Sequence, residues 1–316
     1  HADMMLGKNA DLEAFKYLDR KKVVCATRIE PPLHPENGEK IIKDFGMWPE
    51  IDVEEGWLED DFDKYVEEAK VEFKDKTTNG CFAPWMMYKD DFISIGGHDP
   101  RFASAREDSD VFNRLSLGGF ELIQSWQSFV YHLTARGGQF QHGKVTKDES
   151  QKSEEWQKLM NKSTREFFRK WGTPVLHNNL LKPIVPPKYD IGFVVKNCNE
   201  QILETLEPWC STIYVDTFAQ DYIDREQPNT TDNLNKKIYS IDTDVQNDIE
   251  VRFDGSKLTN QNFNYLVQLS QVLANDTELN GIEPEEFELD IFEITINNLQ
   301  TYEEELITNE NTMFNT

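Results

Sequence analysis

The sequence predicts an α/β protein of two domains, and three observations carry that expectation. The stretch Lys182-Pro-Ile-Val-Pro-Pro187 divides the chain, because three prolines in five residues cannot propagate a helix and favour extended backbone. Downstream of it, short apolar runs that suit strands alternate with stretches of helical period. Upstream, a buried-strand run and an amphipathic helix precede a region rich in Trp and Gly. A length of 316 residues suits about two domains. The expected boundaries are 1–182 and 188–316.

The elements follow in order. Val23–Thr27 (VVCAT) reads as a buried strand. Asp63–Lys74 reads as a surface helix, with Tyr65, Val66, Ala69 and Phe73 at helical spacing. Asn79-Gly80 marks a turn before the aromatic run from Cys81 to Phe92, and Ile93-Ser-Ile95 leads into Gly96-Gly97. A helix begins at Glu107-Asp108-Ser109-Asp110, continues through Val111, Phe112 and Leu115, and stops at Gly118-Gly119. Beyond the prolines, Ile191–Lys196 is a strand and Asn199–Trp209 a helix. Thr212–Asp216, Lys237–Ile241 and Ile249–Phe253 are strands. Asn262–Ala274 is a helix, Phe287–Ile296 alternates like one strand, and Leu299–Ile307 closes as a helix.

Composition narrows the function. With 38% hydrophobic and 12% aromatic residues the chain can build sizeable cores, so it is neither a disordered tail nor a disulfide-stapled miniprotein. A net charge of −25 and a pI near 4.6 argue against nucleic acid or an anionic membrane as the main partner, since both need concentrated Lys and Arg. No Lys or Arg follows Lys257, while twelve Asp and Glu fall between Asp276 and Glu310, which reads as a solvated acidic face. No apolar run approaches the ~20 residues of a membrane helix. Cys25, Cys81, Cys198 and Cys210 show no ligand-like spacing, so reduced thiols in a cytoplasmic protein are expected, and the glycosylation tripeptides at Asn161, Asn229 and Asn275 are discounted. Neither a GxGxxG nor a GxxxxGK phosphate loop is present.

The chemistry concentrates between Phe92 and His132. Gly96-Gly97 permits a tight turn or a close approach of backbone to ligand. Asp108, Phe112 and Leu115 stand at i, i+4 and i+7 and share one helix face, so Asp108 points to the interior or to a cleft if the two apolar residues face the core. The helix N-terminus stabilises an ionised carboxylate. Read by themselves, Glu107–Asp110 serve equally as a helix cap. Trp85 suits stacking on a sugar face or simple core packing, and Arg106 and Arg114 suit phosphate or, better, the neighbouring carboxylates.

These residues carry a family resemblance. Gly96-Gly97-x-Asp99-x-x-Phe102, Glu107-Asp108-x-Asp110, Arg114-Leu115 and Gly119-Phe120 resemble the acceptor-side signature of GT-A fold, family 2-like glycosyltransferases. Val130-Tyr131-His132 and Phe167-Phe168-Arg169-Lys170-Trp171-Gly172 resemble two later segments of that family, in the expected order. The match covers residues 79–172 well and residues 1–78 thinly. His1-Ala2-Asp3 stands where the family carries its DxD motif, with His1 in place of the first Asp.

The resemblance implies a Rossmann-like nucleotide-diphospho-sugar transferase core, N-terminally truncated, with a smaller C-terminal α/β or α+β domain of unassigned role. It implies inverting transfer of a sugar from a nucleotide-sugar donor to a glycan or other hydroxyl acceptor. Asp108 would be the base, with Glu107 beside it. Asp99, Gly96, Gly97, Trp85 and Asp110 would meet or orient the substrates. Asp3, His1 and His132 would hold a divalent cation, Mn²⁺ or Mg²⁺, against the diphosphate. The Q-x-x-R-W motif of processive members is absent, so single addition is expected. If the chain starts at His1, the nucleotide-binding units ahead of DxD are missing. Two further readings stay open: a non-catalytic carbohydrate-binding or structural protein on the same scaffold, and a metal-dependent phosphotransfer or hydrolysis enzyme.

Overall fold

Two long, mostly buried segments, Lys22–Glu30 and Glu121–His132, form the two central strands of a mixed sheet. The computed structural model describes residues 3–32, 38–46, 58–102, 105–133, 154–276, 279 and 284–307. Among them lie β1 (Met4–Leu6), α1 (Ala10–Phe15), β2 (Lys22–Glu30), β3 (Lys40–Ile42) and α2 (Glu59–Glu72). β4 (Thr77–Thr78), β5 (Trp85–Met86), α3 (Lys89–Ser94), α4 (Glu107–Leu117) and β6 (Glu121–His132) follow. β2 is buried from Val23 to Glu30, as expected for a strand covered on both faces. It runs parallel to β6 on one side and to β3 on the other, while β1 lies antiparallel on the outer edge of β6.

The β2–β6 ladder shifts register between Ala26 and Thr27, where Ser125 is followed in pairing by Phe129. Residues 126–128 bulge out and bond elsewhere: Trp126 N–H to Lys76 O, Gln127 to Asp75 N–H and Lys70 O, and Ser128 Oγ to Ala10 O. A bulge of this kind redirects the strand beyond it. Here it brings Arg28–Ile29 beside Val130–Tyr131, so Glu30 and His132 emerge together at the carboxyl ends of parallel strands.

α2 begins four residues before its expected start. Glu59, Asp60 and Asp61 occupy its first turn, where the helix dipole favours acids, and Phe62 is buried against Phe45 and Tyr131. α4 ends on Gly119 at φ +72°, with Phe120 N–H bonded to Leu115 O, a left-handed stop that favours glycine.

The second sheet comprises β7 (Ile191–Lys196), β8 (Thr212–Val215), β9 (Ile238–Ser240), β10 (Ile249–Asp254), β11 (Glu285–Leu289) and β12 (Phe292–Ile296), in the order β11-β12-β10-β7-β8-β9. β10, β7, β8 and β9 are parallel and the β11–β12 pair is antiparallel. α6 (Glu200–Leu206), α7 (Gln220–Glu226) and α8 (Asn260–Asn275) pack Leu203, Tyr222 and Leu269 into the same core as Phe193, Val195, Val251 and Phe253. Thr259 starts α8 with a capping box to Asn262. The single strand expected over Phe287–Ile296 is instead a hairpin. Asp290 adopts φ +56° and turns the chain, and Phe287–Leu289 pair with Phe292–Ile294. The apolar alternation slips one position across the turn, from 287 and 289 to 292, 294 and 296, which a continuous strand does not do. The described residues thus form an α/β protein with two mixed six-stranded sheets.

The last turns of α5 (Glu154–Trp171) join the two parts. Phe167 and Trp171 pack with Phe102 of the first, while the Phe168 ring stacks on Trp209 of the second at 4.1 Å between centroids. Arg169 donates to Glu207 and Glu226, and Lys237 and Tyr222 also bond Glu207, which is fully buried. The chain end returns as well: in α9 (Glu304–Ile307), Ile307 packs against the cluster that holds Val111 and Leu115 of α4.

Burial by itself would raise the Glu207 pKa, but Lys237 and Arg169 beside it hold the carboxyl well below the usual carboxylate range. A depressed native pKa adds stability above the unfolded value, about 4.3, that is lost as pH falls through the native value. Thermal melts from pH 7 to pH 3 should therefore show the Glu207→Gln protein losing less Tm in acid than wild type. Removing the carboxylate outright, Glu207→Ala, should cost about 3–5 kcal/mol at pH 7 in a denaturant titration.

Candidate active site

The carboxyl ends of β2 and β6, where α/β sheets generally meet their ligands, open into a cavity of about 430 Å³. Arg28, Lys40 and His132 reach it from the sheet, and Asp108, Ser109, Phe112 and Asn113 from α4. The segment after α5 closes it with His177, Leu181 and Pro183.

The backbone ahead of α4 sets how that helix faces the cavity. Ala105 and Arg106 both take left-handed φ, +66° and +69°, a costly pair for residues with a Cβ. The chain therefore enters the helix abruptly. Val111 and Leu115 face the apolar core, Asp110 and Arg114 turn inward, and Asp108 and Phe112 turn to the cavity. Arg106 lines the cavity too, and its Nε donates to Thr164 at 3.1 Å. Burial lowers its pKa.

Glu30 organises the sheet side. Its side chain is fully buried, with Arg28 at 2.8 Å, Lys40 at 3.0 Å and His132 Nδ1 at 2.8 Å. Burial alone would raise its pKa, but the bond from His132 and the charges of Arg28 and Lys40 bring it down to about 2. His132 is the converse: burial opposes its charged form, and Asp3 and Glu30 outweigh that and raise its pKa. With Nδ1 committed to Glu30, Nε2 faces Asp3 Oδ2 at 3.6 Å. The Arg28 guanidinium also lies over the Phe82 ring, 3.6 Å from its centroid.

The expected site residues thus fall into groups. Asp108 and His132 line one cavity, and Asp3 adjoins it through His132. Asp99, Gly96, Gly97 and Asp110 form a separate buried cluster beneath α4. Asp99 is 3% exposed and bonded by Lys170 and the Arg101 N–H; Asp110 is 0% exposed and bonded by Arg114, Lys170 and Trp171. Lys170 and Arg101 hold Asp99 ionised against its burial. Gly96 and Gly97 adopt φ +83° and +68°, and Arg114 donates to the carbonyls of Ile95 and Gly97. Arg114 therefore pairs with a carboxylate, the better of its two expected roles. Trp85 packs in the core against Phe92 and Phe112. Glu107 heads α4, and its Oε2 is buried with no hydrogen-bond partner among the described residues. His1 lies outside the described residues.

Glu30, Arg28, Lys40 and His177 were missed by the sequence reading. A signal existed for the first two: Arg28 and Glu30 are the charges that close an otherwise apolar strand, and charges on a buried strand need partners. Lys40 heads the short edge strand β3 and His177 arrives from the segment after α5, and neither carries such a mark.

Compared with protein-family models, with curated proteins and with solved structures, the chain has no match. Among the described residues no helix is long and apolar enough to cross a membrane, and no three His, Cys, Asp or Glu form a metal-binding group. The pair of Asp3 and His132 is nonetheless of the right donor chemistry, a carboxylate oxygen facing an imidazole nitrogen, for a cation such as Mn²⁺.

Truncating Arg114 would take the partner from Asp110 Oδ2 and from two backbone carbonyls in the interior. Arg114→Met should therefore cost about 3–5 kcal/mol in a denaturant titration. Arg114→Lys should recover only part of it, because one ammonium cannot reproduce the fork that reaches Asp110, Ile95 and Gly97 together.

Proposed function

We propose that the protein is a glycosyltransferase that moves a sugar from a nucleotide-sugar donor to an acceptor hydroxyl. One observation carries the reading. The acid expected to act as base, Asp108, and the strand histidine expected near the diphosphate, His132, line a single cavity despite lying 24 positions apart in sequence. Three cationic side chains, Arg28, Lys40 and Arg106, share that cavity and complement an anionic donor.

The reading gives each residue a role. As the acceptor oxygen bonds to the anomeric carbon, the bond from that carbon to the diphosphate oxygen breaks and the hydroxyl proton passes to the Asp108 carboxylate. Attack from the side opposite the leaving group inverts the anomeric centre. Arg28 and Arg106 face the charge that grows on the leaving oxygen. Asp3 and His132 would hold a divalent cation, which would neutralise charge on the leaving group. Glu30 fixes the His132 ring so that Nε2 is the nitrogen presented.

The full-length polypeptide carrying this sequence should release nucleoside diphosphate from at least one member of a UDP- and GDP-sugar panel when Mn²⁺ is present. Asp108→Asn should slow that release about 10²–10⁴-fold while leaving Mn²⁺-dependent binding of the diphosphate intact. Binding lost together with turnover would remove Asp108 from the role of base. No release from any donor, with diphosphate binding retained, would favour a non-catalytic binding protein.

A further inference from the structure

Lys170 is 3% exposed and sits between two buried carboxylates, 2.8 Å from Asp99 Oδ2 and 2.6 Å from Asp110 Oδ1. Each carboxylate belongs to a different element, Asp99 to the turn beneath α4 and Asp110 to α4 itself. Asp99 ends the Gly96-Gly97 turn, and its second oxygen accepts from the Arg101 N–H at 3.0 Å. Asp110 lies in the first turn of α4, two residues beyond Asp108. It is held from the other side by Arg114 at 2.7 Å and by Trp171 Nε1 at 3.1 Å. Arg114 reaches on to Gly97 O at 2.6 Å. Turn, α4 and α5 are thus joined by one buried set of charges, Asp99 and Asp110 with Lys170 and Arg114, and the Arg101 guanidinium lies 3.7 Å from Asp99 Oδ2 beside them.

One residue before Lys170, the same helix is gripped by the second domain. Arg169 Nη2 donates to Glu207 at 2.6 Å and to Glu226 at 2.5 Å, and Arg165 donates to Glu226 at 2.8 Å. Neighbouring positions on α5 therefore serve opposite partners: Lys170 and Trp171 the buried cluster beneath the site, Arg165 and Arg169 the second domain.

We propose that Lys170 is a positioning residue for Asp108. Its ammonium ties the Gly96-Gly97-x-Asp99 turn and the first turn of α4 to α5, and the second domain keeps α5 in place through Arg169. This gives the second domain a role, that of a brace for the site. It rests on the reading of Asp108 as the base.

The test uses the full-length polypeptide and the variants K170M, D99N and R169Q. Hydrogen exchange reads the tether directly: amides in 96–99 and 107–111 should exchange at least tenfold faster in K170M, and those in 96–99 in D99N. Turnover reads the consequence. At a temperature well below each variant's Tm, K170M should lose at least tenfold in kcat for diphosphate release, with KM for the donor changed less than threefold. R169Q should show the same pattern more weakly, although it touches neither Asp99 nor Asp110. If K170M does not fold, D99N and R169Q carry the comparison. Unchanged exchange in 96–111, or kcat equal to wild type in the folded variants, overturns the proposal while wild-type turnover keeps the transferase reading intact. A wild type with no turnover on any donor refutes both together.

Discussion

Three carboxylates removed from water, Glu30, Asp110 and Glu207, dictate much of this architecture. An ionised acid in a protein interior is tolerated only when cations and hydrogen bonds replace its hydration, and losing one such partner is far more costly than losing an exposed ion pair. Each acid here draws those partners from distant parts of the chain. Glu30 gathers Arg28, Lys40 and His132; Asp110 gathers Arg114, Lys170 and Trp171; Glu207 gathers Arg169, Lys237 and Tyr222. The apolar cores bring the elements together, but they are tolerant of small slips. The ion sets specify one alignment, because charge and hydrogen-bond direction must be met at once.

That alignment forms the cavity. Glu30 fixes the sheet side and orients His132 towards Asp3. Asp110 anchors the inward face of α4 and leaves Asp108 on the face that lines the cavity. Glu207 clamps the helix from which Lys170 reaches both Asp99 and Asp110. The carboxylates that the motif places side by side, Asp108 and Asp110, consequently have different work. One meets the cavity and the other is consumed by structure.

Much of the fold was legible in the sequence because its signals are local. The β-branched run at Val23–Thr27, the Asp108–Phe112–Leu115 stripe, the Gly118-Gly119 stop and the alternation after Pro187 each follow from backbone geometry within a few residues. The hairpin at Asp290 was not, since a one-residue slip in alternation is a weak mark and Asp in a left-handed turn is only a modest preference. In the site, Asp108 and His132 were legible through motif spacing. The partners of Glu30 were not, because Lys40 and His132 reach it from separate segments and no pattern within the chain pairs them. Asp99 and Asp110 carry the same motif whether they face a substrate or a lysine. The net charge of −25 also misleads as a guide to the site: its longest unrelieved stretch follows Lys257, in the second part of the chain, whereas the cavity is lined by Arg28, Lys40 and Arg106.

The proposed function requires the carboxyl ends of β2 and β6 to hold a cation and a nucleoside diphosphate beside Asp108. Electron paramagnetic resonance of Mn²⁺ titrated into the full-length polypeptide with UDP or GDP measures this directly. The free Mn²⁺ signal should fall beyond what the nucleotide alone causes, with Asp3→Asn weakening that binding at least about tenfold. A Mn²⁺ signal that the protein leaves unchanged, or binding equal in wild type and Asp3→Asn, would contradict it.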